Sequence, residues 1–379
     1  MKLVPGCIEA GPLKIYQSPG YNYLFNRVTG DFARWGKTRD DDPEFSPVGP
    51  EILDIEIVTD GCVGPGMNLK NSDKNISENP GKTDRGGPCC FCYKGNKATP
   101  PTNMSLETFI KIFDSMPQTL TQIAFGITSV QANPDFFAMM EYCREFGVIP
   151  NYTTAGADLT DEIVQETARL CGAVAVSAYE ADKNVCYDAV KRFTDAGMTQ
   201  CNIHVLASRE TLGFVYEVLE DVKTDPRLAK LNAIVFLGLK PKGRAKGKFF
   251  PVTQKEFDNL VASCLAEGIR FGFDSCSAPR FEDYVKRADL KEGQRAAFLS
   301  SSDSCESGLA SSYINVEGKF YPCSFGEDMA PFEDGISCLE TDNFMDVWDH
   351  PRVAAWRKEL IGSAVNGCRQ CLLYSEINA

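Results

Sequence analysis

The chain has 379 residues, 43% hydrophobic and 24% charged, a composition of globular proteins with room for one large domain and a smaller one. A formal charge of −13 and a pI near 4.8 exclude a surface that grips nucleic-acid phosphates non-specifically. No apolar run approaches the roughly 20 residues of a membrane span.

The opening MKLVPGCIEAGPLK lacks the apolar core of a signal peptide, so a cytoplasmic location is expected. In that reducing setting the sixteen cysteines point to metal, catalysis or core packing rather than to disulfides. YNYLFNRVTGDFARWG (21–36) predicts a β-hairpin turning at Val28–Asp31, in an N-terminal extension over residues 1–50.

From residue 51 the pattern alternates. Short apolar runs at 52–59, 122–127, 148–154, 173–179, 201–207 and 232–239 read as strands buried on both faces. Between them lie amphipathic segments such as SLETFIKIFDSM (105–116), where Leu106, Phe109, Phe113 and Met116 share a face, with Ser105 and Thr108 placed to start the helix. PDFFAMMEYCREFG, TDEIVQETARLC, KNVCYDAVKRFTDAG and TQKEFDNLVASCLAEG repeat the pattern. Six such units predict an α/β fold, a partial (β/α)6 TIM-like barrel over 51–285 with its chemistry at the C-terminal strand ends. After 285 the alternation stops. SSYINVEGKFYPCSF (311–325) reads as a hairpin and PRVAAWRKELIG as a helix with Pro in its first turn, so residues 286–379 are expected to form a small α+β cysteine-rich module.

The stretch GGPCCFCYKG (86–95) holds a CxxC pair, Cys89 and Cys92. Alone, such a pair serves equally as a redox dithiol, half a zinc site or part of an iron–sulfur site. Its partner is read as Cys62, at the end of the first barrel strand. The 26 residues between Cys62 and Cys89 have loop composition, and a loop of that length costs only about 2 kcal/mol more closure entropy than one of three residues. This segment is expected to fold over the site. In the C-terminal part, Cys305, Cys323, Cys368 and Cys371 are separated by 17, 44 and 2 residues, with Gly318 five positions before Cys323. Zinc held by four thiolates is the alternative occupant for either set.

Taken together, these motifs resemble the radical S-adenosylmethionine (SAM) superfamily, whose CxxxCxφC motif is matched by Cys62, Cys89 and Cys92 with Phe91 as the aromatic and Tyr93 following. The departure is the first gap, 26 residues in place of three, and Cys90 is the next candidate ligand if Cys62 is not one. The resemblance implies a 4Fe–4S cluster with one open iron that chelates SAM, and cleavage of SAM to a 5′-deoxyadenosyl radical that abstracts hydrogen from a substrate. An external one-electron reductant of flavodoxin or ferredoxin type is implied as well. The family's GGE is replaced by AFGITSVQANPDF (124–136). This keeps Gly126 but not the acid, leaving carbonyls from Gly126 to Thr128 to accept the cofactor's ammonium. Thr154, Ser177 and Asn202 fall where the family contacts ribose and carboxylate.

The C-terminal cysteines resemble the opening of the SPASM motif, and with no cysteine after Cys371 they are closer to the shortened Twitch module. That implies a second, closed 4Fe–4S cluster on Cys305, Cys323, Cys368 and Cys371, with Cys338 a spare. Peptide or protein substrates are implied, although only 50 residues precede the barrel, which counts against a leader-binding domain there. Small-molecule dehydrogenation, epimerisation and nucleotide modification stand beside that reading, and a zinc-bound, non-catalytic binding module is the reading from another class. Cys276 in FGFDSCSAPR is the candidate hydrogen-donating catalytic thiol, at the end of an expected seventh strand. The basic loop LKPKGRAKGK (239–248) is a candidate holder of a substrate carboxylate or phosphate. Cys143, Cys186, Cys201 and Cys264 read as small buried hydrophobes. P-loop, GxGxxG and GxSxG motifs are absent.

Overall fold

The computed structural model describes residues 1–62 and 89–377. The expectation for the 26-residue segment 63–88 lies outside the described residues.

Four antiparallel strands open the chain: β1 (Cys7–Ala10), β2 (Leu13–Gln17), β3 (Asn22–Asn26) and β4 (Phe32–Trp35). The expected hairpin joins β3 to β4, and two further antiparallel pairings, β1–β2 and β2–β3, not anticipated, precede it. One face buries Tyr16, Tyr21, Tyr23 and Phe25 against Ile149. Lys14 is fully buried, its Nζ donating to the Gln118 carbonyl at 3.0 Å and the Leu120 carbonyl at 2.7 Å, while the Tyr23 hydroxyl donates to the Thr119 carbonyl at 2.6 Å. These carbonyls precede the second barrel strand, so the sheet caps the N-terminal end of the barrel.

The barrel begins with β5 (Ile52–Glu56). The predicted strand 52–59 breaks at Ile57, and β6 (Val58–Thr59) turns away to pair with β7 (Thr102–Asn103). There follow α1 (Leu106–Ser115), β8 (Gln122–Gly126), α2 (Phe136–Glu145), β9 (Ile149–Thr154), α3 (Asp161–Leu170), β10 (Val174–Ser177) and α4 (Lys183–Asp195). Then come β11 (Cys201–Ala207), α5 (Leu212–Thr224), β12 (Ala233–Gly238), α6 (Gln254–Glu267) and β13 (Phe271–Phe273). Helix starts follow their side chains: Ser105 accepts from Thr108 N–H at 3.1 Å, and Thr253 forms a capping box with Glu256. Phe109 of α1 meets Phe125 of β8 at 5.6 Å between ring centres, the apolar contact that seats the helix on the sheet.

The C-terminal part contributes α7 (Ala278–Arg287), α8 (Glu292–Ser300), β14 (Ser311–Ile314), β15 (Lys319–Tyr321), β16 (Ile336–Ser337), α9 (Met345–Trp348) and α10 (Pro351–Gly362). It shares the barrel's sheet, whose strand order is β13-β12-β11-β10-β9-β8-β5-β14-β15-β16. β14 runs parallel to β5, pairing Tyr313 with Asp54, and the strands beyond it are antiparallel. The result is a partial TIM-like barrel, open between its edge strands, with a small cysteine-rich module growing from the first strand. Leu53 and Ile55 pack outward under the helices; Asp54 and Glu56 point the other way, into the lumen, with Tyr313. Among the described residues no helix is long and apolar enough to cross a membrane.

Candidate metal centre

Cys62, Cys89 and Cys92 come together at the C-terminal rim of the barrel. Burial pushes the Cys89 thiol up to about 12, the nearby Cys62, Cys92 and Cys90 sulfurs add to the rise, and a hydrogen bond from the Tyr179 hydroxyl opposes it. Ser177, the last residue of β10, donates in turn to Tyr179, whose own hydroxyl is held well above its ordinary value, by burial first and then by the charge of Cys89. Phe91 stacks on Tyr179 with ring centres 6.1 Å apart and meets Phe249 edge-on at 5.8 Å. Cys62 N–H donates to the Lys97 carbonyl at 3.0 Å, which ties the first cysteine to the loop after the CxxC pair.

The basic loop after β12 folds against this site instead of standing open to a substrate. Arg244 donates from its backbone N–H to the Cys92 carbonyl at 3.0 Å, from Nε to the Cys89 carbonyl at 2.8 Å and from Nη1 to the Asn96 carbonyl at 2.8 Å. Its Nη2 is buried without a hydrogen-bond partner among the described residues. Gly243, at φ +59°, lies so close that an added Cβ would stand 2.5 Å from the Cys92 carbonyl oxygen. Lys242 donates to the carbonyls of Phe325 at 3.2 Å and Glu327 at 2.6 Å, and Lys240 pairs with Asp274. Three of the five cations expected to meet a substrate are spent inside the protein.

The remaining cofactor-site expectations divide. Thr128 Oγ1 donates to the Asp60 carbonyl at 2.6 Å, binding the loop after β8 to the approach of Cys62. Gly126 packs on Glu56, where a Cβ would stand 3.1 Å from the Glu56 Cα, and its carbonyl already accepts from Ile57 N–H at 2.9 Å. Thr154 is buried and its hydroxyl accepts from Gly156 N–H at 3.0 Å, within its own loop. Asn202 requires a correction. It is the second residue of the seven-residue β11, at the end opposite the C-terminal rim, and accepts from Asn232 Nδ2 at 2.9 Å. Tyr93 points to the C-terminal module: its ring centre is 4.4 Å from that of Phe325, and its hydroxyl bonds Ser324.

The lumen beneath the rim is polar. Asp54 is reached by solvent yet enclosed by protein, and burial raises its carboxyl to about 6. Glu56 accepts from the Tyr313 hydroxyl at 3.0 Å and stands 3.1 Å from Lys94 Nζ, which also pairs with Glu327. His204 sits 3.4 Å from the Thr153 hydroxyl, and burial lowers it to about 4. Tyr179 and Lys94 were not singled out in the sequence, and Arg244 was expected to meet a substrate rather than the CxxC turn. Lys94, two residues after Cys92, had position as its only signal.

In the C-terminal module, burial and the charge of Cys305 push Cys323 up to about 12, with Cys371 adding to it. The Cys305 thiol is raised by burial and by Cys371. Arg369 donates to the Cys305 carbonyl at 2.6 Å, which ties the C-terminal CxxC loop to Cys305. Cys368 turns elsewhere: burial raises it to about 12, and the groups beside it are Glu282 and Ser304. Cys276 does not end a strand, since β13 stops at Phe273; it occupies the short 3-10 turn Ser275–Ser277. Burial raises its thiol, Lys240 opposes this, and Cys305 and Cys323 are close enough to add to it. Cys276 thus stands by the C-terminal cysteines, on a cavity of about 20 Å³ shared with Lys240, Ser277 and Ile377.

None of the sixteen cysteines forms a disulfide. Among the described residues no three His, Cys, Asp or Glu side chains converge as they would on a single metal ion. Thiolates on one zinc share a single centre about 2.3 Å from each sulfur, whereas a four-iron cluster takes each thiolate on a separate iron and spaces them wider. The donor chemistry at the rim, thiols within electrostatic reach of Cys89, is of the kind that an iron–sulfur cluster takes.

No protein-family model matches the chain, and no curated protein matches it in sequence. Solved structures do match in fold. Streptococcus suis SuiB bound to precursor peptide SuiA aligns at a TM-score of 0.62 and 11% identity, over 97% of this chain and 93% of that one. SuiB bound to S-adenosylmethionine aligns at 0.60 and 11%, over 92% and 89%. Native anSMEcpe with bound AdoMet and Cp18Cys peptide aligns at 0.54 and 16%, over 87% and 88%. The chain therefore has the fold of these structures, barrel and C-terminal module together.

Proposed function

We propose that the protein is a radical SAM enzyme with a Twitch-type auxiliary cluster that oxidatively modifies a peptide substrate, by dehydrogenation or cross-linking. The observation that carries this reading is the gathering of Cys62, Cys89 and Cys92 at the rim of a partial barrel, with a separate thiol group in a module that shares its sheet. SuiB and anSMEcpe, which share the fold, hold S-adenosylmethionine and peptides in their structures, and this supports the cofactor and the substrate class. Bound to the three rim thiolates, an open 4Fe–4S cluster with SAM would supply the 5′-deoxyadenosyl radical.

The chain's own residues prepare that site. Tyr179 holds the Cys89 sulfur, Arg244 fixes the carbonyls on either side of the CxxC turn, and Thr128 secures the approach to Cys62. The polar lumen, with Asp54 and His204, faces the substrate side. An external one-electron reductant of flavodoxin or ferredoxin type completes the reading.

Cys276 lies beside the auxiliary thiols, which favours net oxidation over hydrogen return from that thiol. Turnover in deuterated water tests the choice, with candidate peptides screened for SAM-dependent change. Oxidation gives a product two hydrogens lighter with no solvent label at the reacting carbon. A product of unchanged composition carrying one solvent deuterium, a label lost in Cys276→Ala, would overturn it.

A further inference from the structure

The guanidinium of Arg244 is committed on two of its three nitrogens. Nε holds the Cys89 carbonyl and Nη1 the Asn96 carbonyl, 2.8 Å each, so the side chain cannot swing without breaking both bonds. Nη2 shares the Nε edge of the planar fork and therefore faces the side on which Cys89 lies. It is buried and has no acceptor among the described residues. Leaving a buried donor unpaired costs about 1–3 kcal/mol, more for a charged group, so an acceptor is expected in front of it. The side chain is fixed on the carbonyls of the CxxC turn, and Gly243 shows how tightly the loop is pressed there, since a Cβ would stand 2.4 Å from the Tyr93 carbonyl oxygen.

We propose that Arg244 is a positioning residue for the iron–sulfur cluster on Cys62, Cys89 and Cys92, its Nη2–H donating to a cluster or cysteine sulfur and setting the cluster's reduction potential. This rests on the reading of that site as a cluster site. Hydrogen bonds and positive charge at the sulfurs stabilise the more negative, reduced cluster and raise its potential. Losing them shifts the potential in the negative direction.

The test uses the full chain, reconstituted anaerobically, as wild type, Arg244→Lys and Arg244→Met. Iron per chain is assayed, and the midpoint potential is followed on the reduced-cluster electron spin resonance signal that changes on adding SAM. The expected result is a more negative potential in Arg244→Met at unchanged iron content, with Arg244→Lys in between. An unchanged potential at full iron content in Arg244→Met would overturn the proposal. If Arg244→Met loses iron, Arg244→Lys decides by the same potential criterion. Loss of iron in both with the melting temperature of the iron-free chain unchanged supports positioning, and a lowered melting temperature overturns it in favour of a purely structural clamp. A wild type that binds no iron refutes the cluster reading itself, a result distinguishable from any of these.

Discussion

Beneath the barrel, Lys14 is an ammonium with no exposure to water, held by the carbonyls of Gln118 and Leu120. Burial lowers its pKa from 10.5 to about 8, against a smaller opposing effect of Cys7. Between those values the unfolded chain binds more protons than the folded one, so this group makes stability rise with pH. Below about 8 both states carry the proton and the dependence vanishes. Wild type is expected to gain on the order of 1–2 kcal/mol relative to Lys14→Met as pH rises from 8 to 9.5. Denaturant unfolding at the two pH values measures it, and parallel curves for the two proteins would refute it. Asp54 carries the opposite sign: its folded carboxyl titrates near 6, raised from 3.8 by burial, so its contribution to stability falls as pH rises through that window.

Among the elements, the contact between the CxxC loop and the C-terminal module joins the Tyr93–Phe325 ring contact to a charged group. Lys94 follows Cys92 by two residues and is the cation between Glu56 of β5 and Glu327, with the Tyr313 hydroxyl 2.7 Å away and Asn315 donating to Glu327 at 2.9 Å. Removing one member of a buried ionic group leaves the rest uncompensated, at a cost of about 3–5 kcal/mol. Lys94→Met is expected to destabilise by about that amount, and the further changes Glu56→Gln and Glu327→Gln should restore part of it. A loss below about 1 kcal/mol for Lys94→Met, measured by denaturant unfolding, would show the group to be solvated instead. The loop after β12 acts on the same turn through shape. Gly243→Ala forces a left-handed backbone angle on a residue with a Cβ, about 1–2 kcal/mol before any clash with the Cys92 and Tyr93 carbonyls is counted. Its measurable consequence is lower iron incorporation with the barrel still folded by circular dichroism.

For the whole molecule, the two thiol groups predict about eight irons per reconstituted chain, and about four after Cys62, Cys89 and Cys92 are replaced together by Ala, with SAM cleavage abolished. Iron and sulfide assays with product analysis check this. Full cleavage in Cys62→Ala alone would assign the third rim ligand elsewhere, with Cys90 next in line. Because β14 extends the sheet from β5, the C-terminal module is built on the strand that leads to Cys62, and the two thiol groups are held in one framework.

Much of this was readable in one dimension. The alternation of short β-branched runs with amphipathic helices specifies parallel β–α units, because each strand must bury both faces and each helix one. β11 was legible to the residue, and the cysteine spacings singled out Cys62, Cys89 and Cys92 and the C-terminal Cys305, Cys323 and Cys371, whereas Cys368, expected with the latter, lies beside Glu282 and Ser304. Tertiary structure alone decided the rest. Asn202 looked like a rim residue until the strand's direction placed it at the opposite end. The cations of 239–248 looked available to a substrate until the loop's path turned Lys240, Lys242 and Arg244 onto Asp274 and backbone carbonyls. Tyr179, remote in sequence from Cys89, became its partner only through the register of neighbouring strands. Local sequence carries periodicity and donor chemistry, whereas which side chains meet across the barrel depends on strand order, direction and loop path, and these are set by burial summed over the whole chain.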